Sequence, residues 1–163
     1  MASVLIALGG NVGDVRATFR KAIAHVCGMT QGVLVARSSD YATPPWGDED
    51  QDPFINACVE IETELDPHAL LFVLQKVEKK FGRTRTKERR WGPRTLDLDL
   101  IAYDDVRLDK PELTLPHPRV FERAFVLVPL AEIAPDRVIA GRRVGDALAG
   151  LSTEGIQRLP DLD

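Results

Sequence analysis

A basic stretch runs directly into a pair of carboxylates at Arg90-Trp91-Gly92-Pro93-Arg94-Thr95-Leu96-Asp97-Leu98-Asp99-Leu100-Ile101. If the second half is an extended strand, Asp97 and Asp99 project from one face, their backbones about 6.6 Å apart at ~3.3 Å of rise per residue. Hard oxygens at that spacing suit a shared metal site. Two magnesium ions about 3.5–4 Å apart could be clamped there while gripping polyphosphate oxygens, which is what phosphoryl-group transfer requires. Neighbouring arginines would neutralise the charge spread over the moving phosphoryl group. An Asp-x-Asp strand alone is ordinarily a solvated outer face; the adjoining Gly-Pro-Arg and basic residues turn the reading toward a metal and phosphate site.

The charge distribution supports this. Residues 79–94 hold Lys79, Lys80, Arg83, Arg85, Lys87, Arg89, Arg90 and Arg94 against Glu88 alone, a net +7 that leaves −11 on the rest of a chain whose formal total is −4. A basic patch on an otherwise acidic protein points to a local polyanion such as a nucleotide's phosphates, not to adsorption on nucleic acid or membrane. Two rivals share some of these features. A two-metal nuclease or nucleotidyl transferase would need an extended basic track, whereas here the charge is confined to one loop. A module that only senses nucleotide would transfer no label from radiolabelled ATP.

The chain has 163 residues and 44% hydrophobic content, enough for one well-buried core, so a single domain over residues 1–163 is expected. No apolar run approaches the roughly 20 residues of a membrane span, and Met1-Ala2-Ser3-Val4-Leu5-Ile6 lacks a basic signal-type start, which predicts a cytoplasmic protein without a membrane partner. Cys27 and Cys58 form no CxxC pair and read as small core residues.

Residues 3–8 read as a buried strand, and Gly9-Gly10-Asn11-Val12-Gly13 as a turn into a helix capped by Asp14. That glycine-rich turn lacks the spacing of a phosphate-binding loop. Val15, Phe19, Ala22, Ile23 and Val26 keep helical spacing up to Gly28, and a second strand is expected over 33–41. A long polar loop follows, Thr43-Pro44-Pro45-Trp46-Gly47-Asp48-Glu49-Asp50-Gln51-Asp52-Pro53, of a length that suggests function. The next strand, 54–64, alternates so that Ile55, Ala57, Val59 and Ile61 share one face, with Phe54, Asn56, Cys58 and Glu60 on the other.

Asp66 and Pro67 then open a helix with the apolar stripe Leu70, Leu71, Leu74, Val77 and Phe81, ended by Gly82; Gln75 and Glu78 should lie side by side away from the stripe's centre. After the carboxylate strand, Asp104-Asp105 reads as a hairpin turn into a short return strand at 106–108, and helical pieces are expected near 125–133 and 144–151. The order β-α-β-β-α-β with C-terminal helical additions predicts an α+β fold, a ferredoxin-like plait whose mostly antiparallel sheet carries packed helices.

The basic residue followed by x-Gly-Pro-Arg-x-x-Asp-Leu-Asp and two aliphatics resembles the signature of the 6-hydroxymethyl-7,8-dihydropterin pyrophosphokinases of folate synthesis, and matches it at every defined position. Ala7-Leu8-Gly9-Gly10-Asn11, Thr43-Pro44-Pro45, Phe54-Ile55-Asn56-Ala57, Gln75 with Glu78, Gly82-Arg83-Thr84-Arg85, Pro116-His117-Pro118-Arg119 and Arg123-Ala124-Phe125-Val126-Leu127 extend the likeness over nearly the whole chain. The resemblance implies transfer of the β,γ-diphosphate of ATP to the pterin's hydroxymethyl group, with release of AMP, by a monomer acting on small molecules.

It also implies roles. Asp97 and Asp99 would hold two magnesium ions, and Arg83 and Arg94 would be catalytic together with that pair. Gln75, Glu78, Arg83, Arg85, Arg94, Leu100, His117 and Arg123 would contact ATP. The pterin would stack between Phe54 and Phe125, bordered by Thr43, Pro44, Pro45, Trp46, Asn56 and Asp97, with Trp91 closing over it. Phe54 stands where the family often has tyrosine, so the stacking surface is kept without a hydroxyl.

Overall fold

The computed structural model describes residues 1–44, 52–82 and 95–162. Strand β1 (Ala2–Gly10) leads into helix α1 (Val15–Thr30), followed by β2 (Val33–Arg37), β3 (Tyr41–Thr43), β4 (Phe54–Thr63), α2 (Pro67–Lys80) and β5 (Asp97–Tyr103). A small hairpin, β6 (Leu108–Lys110) and β7 (Leu113–Leu115), precedes a 3-10 turn (Val120–Glu122) and α3 (Ala124–Ile133). The hairpin of β8 (Val138–Ile139) and β9 (Arg142–Arg143), helix α4 (Val144–Ala149) and β10 (Gln157–Arg158) complete the described elements.

The main sheet runs β10-β3-β4-β1-β5, with β2 beside the far end of β4, and every pairing is antiparallel. Taken with β2 and β3 as one bent strand along the same edge of β4, this is the split β-α-β order expected of the ferredoxin-like plait. Both faces of the sheet are covered, which is why β1 is apolar almost without interruption. Val4, Ile6, Leu8, Ala57, Val59, Ile61, Leu98 and Leu100 pack under α1 and α2. Leu5, Ala7, Cys58, Ile101 and Ala102 pack under α3 and α4.

Local chemistry accounts for the element ends. The Asp14 and Asp66 carboxylates accept the Ala17 and Ala69 amides as helix N-caps, and Pro67 occupies the first turn of α2. Helix α1 runs past Gly28 to Thr30, because Gln31 takes the left-handed capping conformation at φ 51° that the sequence reading assigns nearer Gly28. Strand β1 likewise continues through Gly9 and Gly10, which pair with Asn56 and Ile55, so the turn is confined to 11–14.

The single strand expected over 33–41 is broken. Ser38 Oγ accepts the Cys58 amide and donates to the Ser39 carbonyl, so side chain replaces backbone in the ladder and the strand bends. At that bend Asp40, 3% exposed, takes Arg16 at 2.8 Å and Arg37 at 3.1 Å. The turn at Asp104-Asp105 is present, but the strand after it begins at Leu108 and pairs with β7, not with β5.

Removing the Asp40 carboxylate would leave the half-buried guanidinium groups of Arg16 and Arg37 with only the Pro160 and Ser38 carbonyls as acceptors and no counter-charge at the bend. Asp40→Ala is expected to lower the unfolding free energy by about 2 kcal/mol, read as a shifted urea midpoint with an unchanged slope.

Candidate active site

Sheet register assembles the site. Tyr41 pairs with Asn56, Asn56 with Gly9, and Gly9 with Asp97, giving one row across β3, β4, β1 and β5. Directly opposed residues project to the same side, and this side is the one covered by α3. The next row places Cys58, Ala7 and Asp99 in line. Asp97 and Asp99 therefore do share a face, as the alternation predicts, with Leu98 turned into the core beneath.

The place of Gly9 in this row is not visible in the sequence, where it reads as part of a turn. A Cβ at this position would lie 3.0 Å from Asn56 Oδ1 and 4.0 Å from Asp97 Cβ. The glycine keeps open the floor between an amide and a carboxylate two strands apart. Its signal in the sequence, a Gly-Gly pair, is common to any turn, and only the register reveals that it is a strand residue. Asn56 itself is 8% exposed, and its Nδ2 donates to Thr43 Oγ1 at 3.4 Å. Phe54, two residues earlier, faces the same way, and Phe125 sits in the first turn of the helix that covers this face.

Arg123 precedes α3 and brings Nη1 to 3.8 Å from Asp99 Oδ2, with its guanidinium 5.8 Å from the centre of the Phe125 ring. His117 is anchored by a bulge in β5. The register with β1 slips between Leu5 and Ile6, where Ile101 is the extra residue, and the Ile101 carbonyl accepts the His117 amide at 2.8 Å. The Arg119 amide donates to His117 Nδ1 at 3.1 Å, which leaves Nε2 to carry the proton of the neutral ring. Burial pulls the His117 pKa down to about 4, Arg123 and Arg119 assist, and Asp97 opposes them. At neutral pH His117 is thus an uncharged Nε2–H donor beside Asp97 and Arg123.

Glu78 departs from the sequence expectation. Gln75 is exposed on α2, but Glu78 is 3% exposed and its Oε2 accepts the Leu98 amide at 2.8 Å. The two are not a shared polar face. Leu98 lies between the two aspartates, on a strand that is the edge of the main sheet, so a buried carboxylate from α2 supplies an acceptor to the edge that displays them. Leu100 is 5% exposed and packed in the core, which leaves little but its main chain for a ligand.

Thr43 is 5% exposed at the end of β3, and Pro44 follows it at the surface. Pro45, Trp46, Arg83, Arg85, Trp91 and Arg94 lie outside the described residues. The segment that carries the last four departs at Gly82, φ 91°, and returns at Thr95, where a Cβ on Gly82 would be 3.9 Å from Thr95 Oγ1. Its two ends therefore meet beside the start of β5.

The donor set fits a hard divalent cation: two carboxylates and no thiolate. Among the described residues no cluster of three or more metal-binding side chains forms; phosphate and water oxygens are of the kind that suits the other positions of a cation held by Asp97 and Asp99.

The family model described as 7,8-dihydro-6-hydroxymethylpterin-pyrophosphokinase matches residues 5–135. The chain belongs to this family. It is 53% identical over 160 residues to the 2-amino-4-hydroxy-6-hydroxymethyldihydropteridine pyrophosphokinase of Methylorubrum extorquens, covering 98% of this chain and 99% of that one. The enzyme of the same name from Pseudomonas aeruginosa is 42% identical over 158 residues, covering 96% of each chain. Among solved structures, an HPPK-DHPS in complex with substrates superposes with a TM-score of 0.70 at 11% identity, over 91% of this chain and 43% of that one. The wild-type Plasmodium falciparum HPPK-DHPS with pteroate gives 0.69 at 13% identity, over 91% and 42%. This chain thus spans under half the length of those solved chains, and the likeness to them is one of fold.

Two outcomes test the geometry. Glu78→Ala should cut turnover by about tenfold or more and raise the magnesium needed, while Glu78→Gln, which keeps an acceptor for Leu98, should fall less. The His117 ring should titrate by NMR near pH 4. Since its folded pKa lies below the ordinary 6.5, the unfolded chain binds a proton that the folded chain refuses; stability from this group is complete above pH 6.5 and is lost as pH falls toward 4.

Proposed function

We propose that this chain transfers the β,γ-diphosphate of ATP to the hydroxymethyl group of 6-hydroxymethyl-7,8-dihydropterin, releasing AMP, in tetrahydrofolate biosynthesis. The observation that carries this reading is the row Asn56, Gly9, Asp97. It offers an amide to read a heteroaromatic edge, an open floor, and a carboxylate for metal-bound phosphate, in the order in which a pterin, its hydroxymethyl arm and a triphosphate would lie.

The hydroxymethyl oxygen attacks the β-phosphorus, the bond from that phosphorus to the bridging oxygen of the α-phosphate breaks, and AMP leaves with the bridging oxygen. The hydroxyl proton passes to solvent. Two magnesium ions held by Asp97 and Asp99 would neutralise the triphosphate and acidify the attacking hydroxyl. The protein's own groups position and neutralise, since this reading assigns no covalent nucleophile.

In this reading Arg123 and the neutral Nε2–H of His117 approach the phosphates from the sheet side, and Gln75 approaches from α2. Arg83, Arg85 and Arg94 approach from the basic segment, whose ends meet at Gly82 and Thr95; Arg83 and Arg94 stabilise the transferring group. Leu100 contributes main chain, and Glu78 acts on ATP through the strand it holds. The pterin lies between Phe54 and Phe125, with Asn56 held by Thr43 at its polar edge, Pro44, Pro45 and Trp46 at its rim and Trp91 above. The protein works as a cytoplasmic monomer on small molecules; among the described residues no helix is long and apolar enough to cross a membrane.

The deciding measurement is AMP release from ATP that depends on hydroxymethyldihydropterin. Asp97→Asn and Asp99→Asn, nearly isosteric, should each lose at least about a hundredfold in turnover while circular dichroism stays native. Retention of near-normal turnover at saturating magnesium by either variant would remove the metal assignment.

A further inference from the structure

The two sides of the proposed pterin slot stand on β3 and α3. Strand β3 ends at Thr43 and leads directly into Pro44, and α3 carries Phe125 in its first turn. Within its own helix that turn is held by the Val126 and Leu127 amides on the Arg123 carbonyl, both at 3.0 Å, and lacks two further ties. Arg123 at the N-cap makes no side-chain cap bond, and Pro129 has no N–H to return to the Phe125 carbonyl one turn back.

At the first turn the contacts to the sheet are long, Cys58 Sγ to the Val126 carbonyl at 3.6 Å and Arg123 to Asp99 at 3.8 Å, and shorter polar ties stand at the other end of α3. The Glu132 carboxylate accepts the Tyr41 hydroxyl at 2.5 Å and the Ser39 amide at 3.0 Å. Tyr41 is 7% exposed and sits opposite Asn56 in the sheet. Burial first, then Glu132, pushes its pKa up to about 12, so the hydroxyl stays a donor throughout the working range.

Behind β3 lies β10, which pairs Gln157 with Ala42 and Arg158 with Tyr41. Arg158 Nε donates to Ser39 Oγ at 3.0 Å, and the Leu159 amide to the Asp40 carbonyl at 2.8 Å. Gly155, at φ 83°, packs so closely that a Cβ there would be 3.3 Å from Pro44 Cδ. The family match ends at residue 135, so this segment lies outside it.

We propose that Gly155 to Leu159, together with Tyr41 and Glu132, forms a brace that positions the pterin slot: it backs the Pro44 rim on one side and, through the Tyr41–Glu132 bond, holds α3 and its Phe125 on the other. These are positioning residues, and the inference rests on the proposed function. The brace acts on the β3 and α3 side of the sheet. Asp97, Asp99, Glu78 and His117 lie on or against β5, three strands from β3, so the brace governs pterin binding first and reaches the nucleotide side only through Arg123 at the start of α3.

Tyr41→Phe, Glu132→Ala, Glu132→Gln and Gly155→Val, made in the full chain, test this through KM for each substrate, kcat from AMP release and thermal melting. The expected result is a rise of about 5–30-fold in the pterin KM for Tyr41→Phe, Glu132→Ala and Gly155→Val, with a clearly smaller rise in the ATP KM. Glu132→Gln, which keeps an acceptor for Tyr41, should recover most of the loss. Tyr41→Phe removes one oxygen only and decides the matter if Gly155→Val does not fold. An unchanged pterin KM, an equal rise in both KM values, or a Glu132→Gln as damaged as Glu132→Ala overturns the brace while leaving the function standing. A wild-type protein that releases no AMP with the pterin overturns both.

Discussion

The constraint on which the site depends is the antiparallel register of β4, β1 and β5. Asn56, Gly9 and Asp97 are far apart in sequence, and backbone hydrogen bonds alone bring them into one row. A slip of one residue would send Asp97 and Asp99 into the core and Leu98 to the ligand. The apolar residues of both faces oppose such a slip: Leu98 belongs under α1 and α2, whereas Ala7 and Cys58 belong under α3. The hydrophobic core that stabilises the fold is thus also what aims the carboxylates.

Among the described residues β5, which displays Asp97 and Asp99, is an edge of the main sheet, and the outer amides of an edge strand need acceptors from elsewhere. The protein answers with side chains and a bulge. Glu78 reaches from α2 to the Leu98 amide, and the irregularity at Ile101 gives the His117 amide an acceptor. Both devices satisfy a backbone amide beside the strand that carries Asp97 and Asp99, and in each the donor and the acceptor come from different elements.

The other side of the site is built differently. Here α3 packs by Val126, Leu127 and Leu130, which supply cohesion without direction, since apolar contacts tolerate small shifts. Directional bonds come from Glu132 to Tyr41 and Ser39, and from β10 behind them. A flat heteroaromatic ligand needs a slot of fixed width, and a few oriented hydrogen bonds specify a width better than a greasy contact does.

Much of this was legible in the sequence. The period-2 alternation in 54–64 and 96–100 assigned faces correctly, Asp66-Pro67 marked the start of α2, and the Asp-Leu-Asp run put both carboxylates on one face, because local backbone geometry translates these patterns directly into direction. The polar residues were less legible. Glu78 reads as a surface partner of Gln75, and only the docking of α2 against β5 makes it a buried clamp. Gly9 reads as a turn, and only pairing on both sides makes it a floor. The bend at Ser38 and the pairing of β6 with β7 instead of β5 came from side-chain hydrogen bonds and long-range packing. Periodicity reports which way a residue points along its own element; which partner it meets there is decided by strands and helices distant in sequence, and that information exists only once the chain has folded.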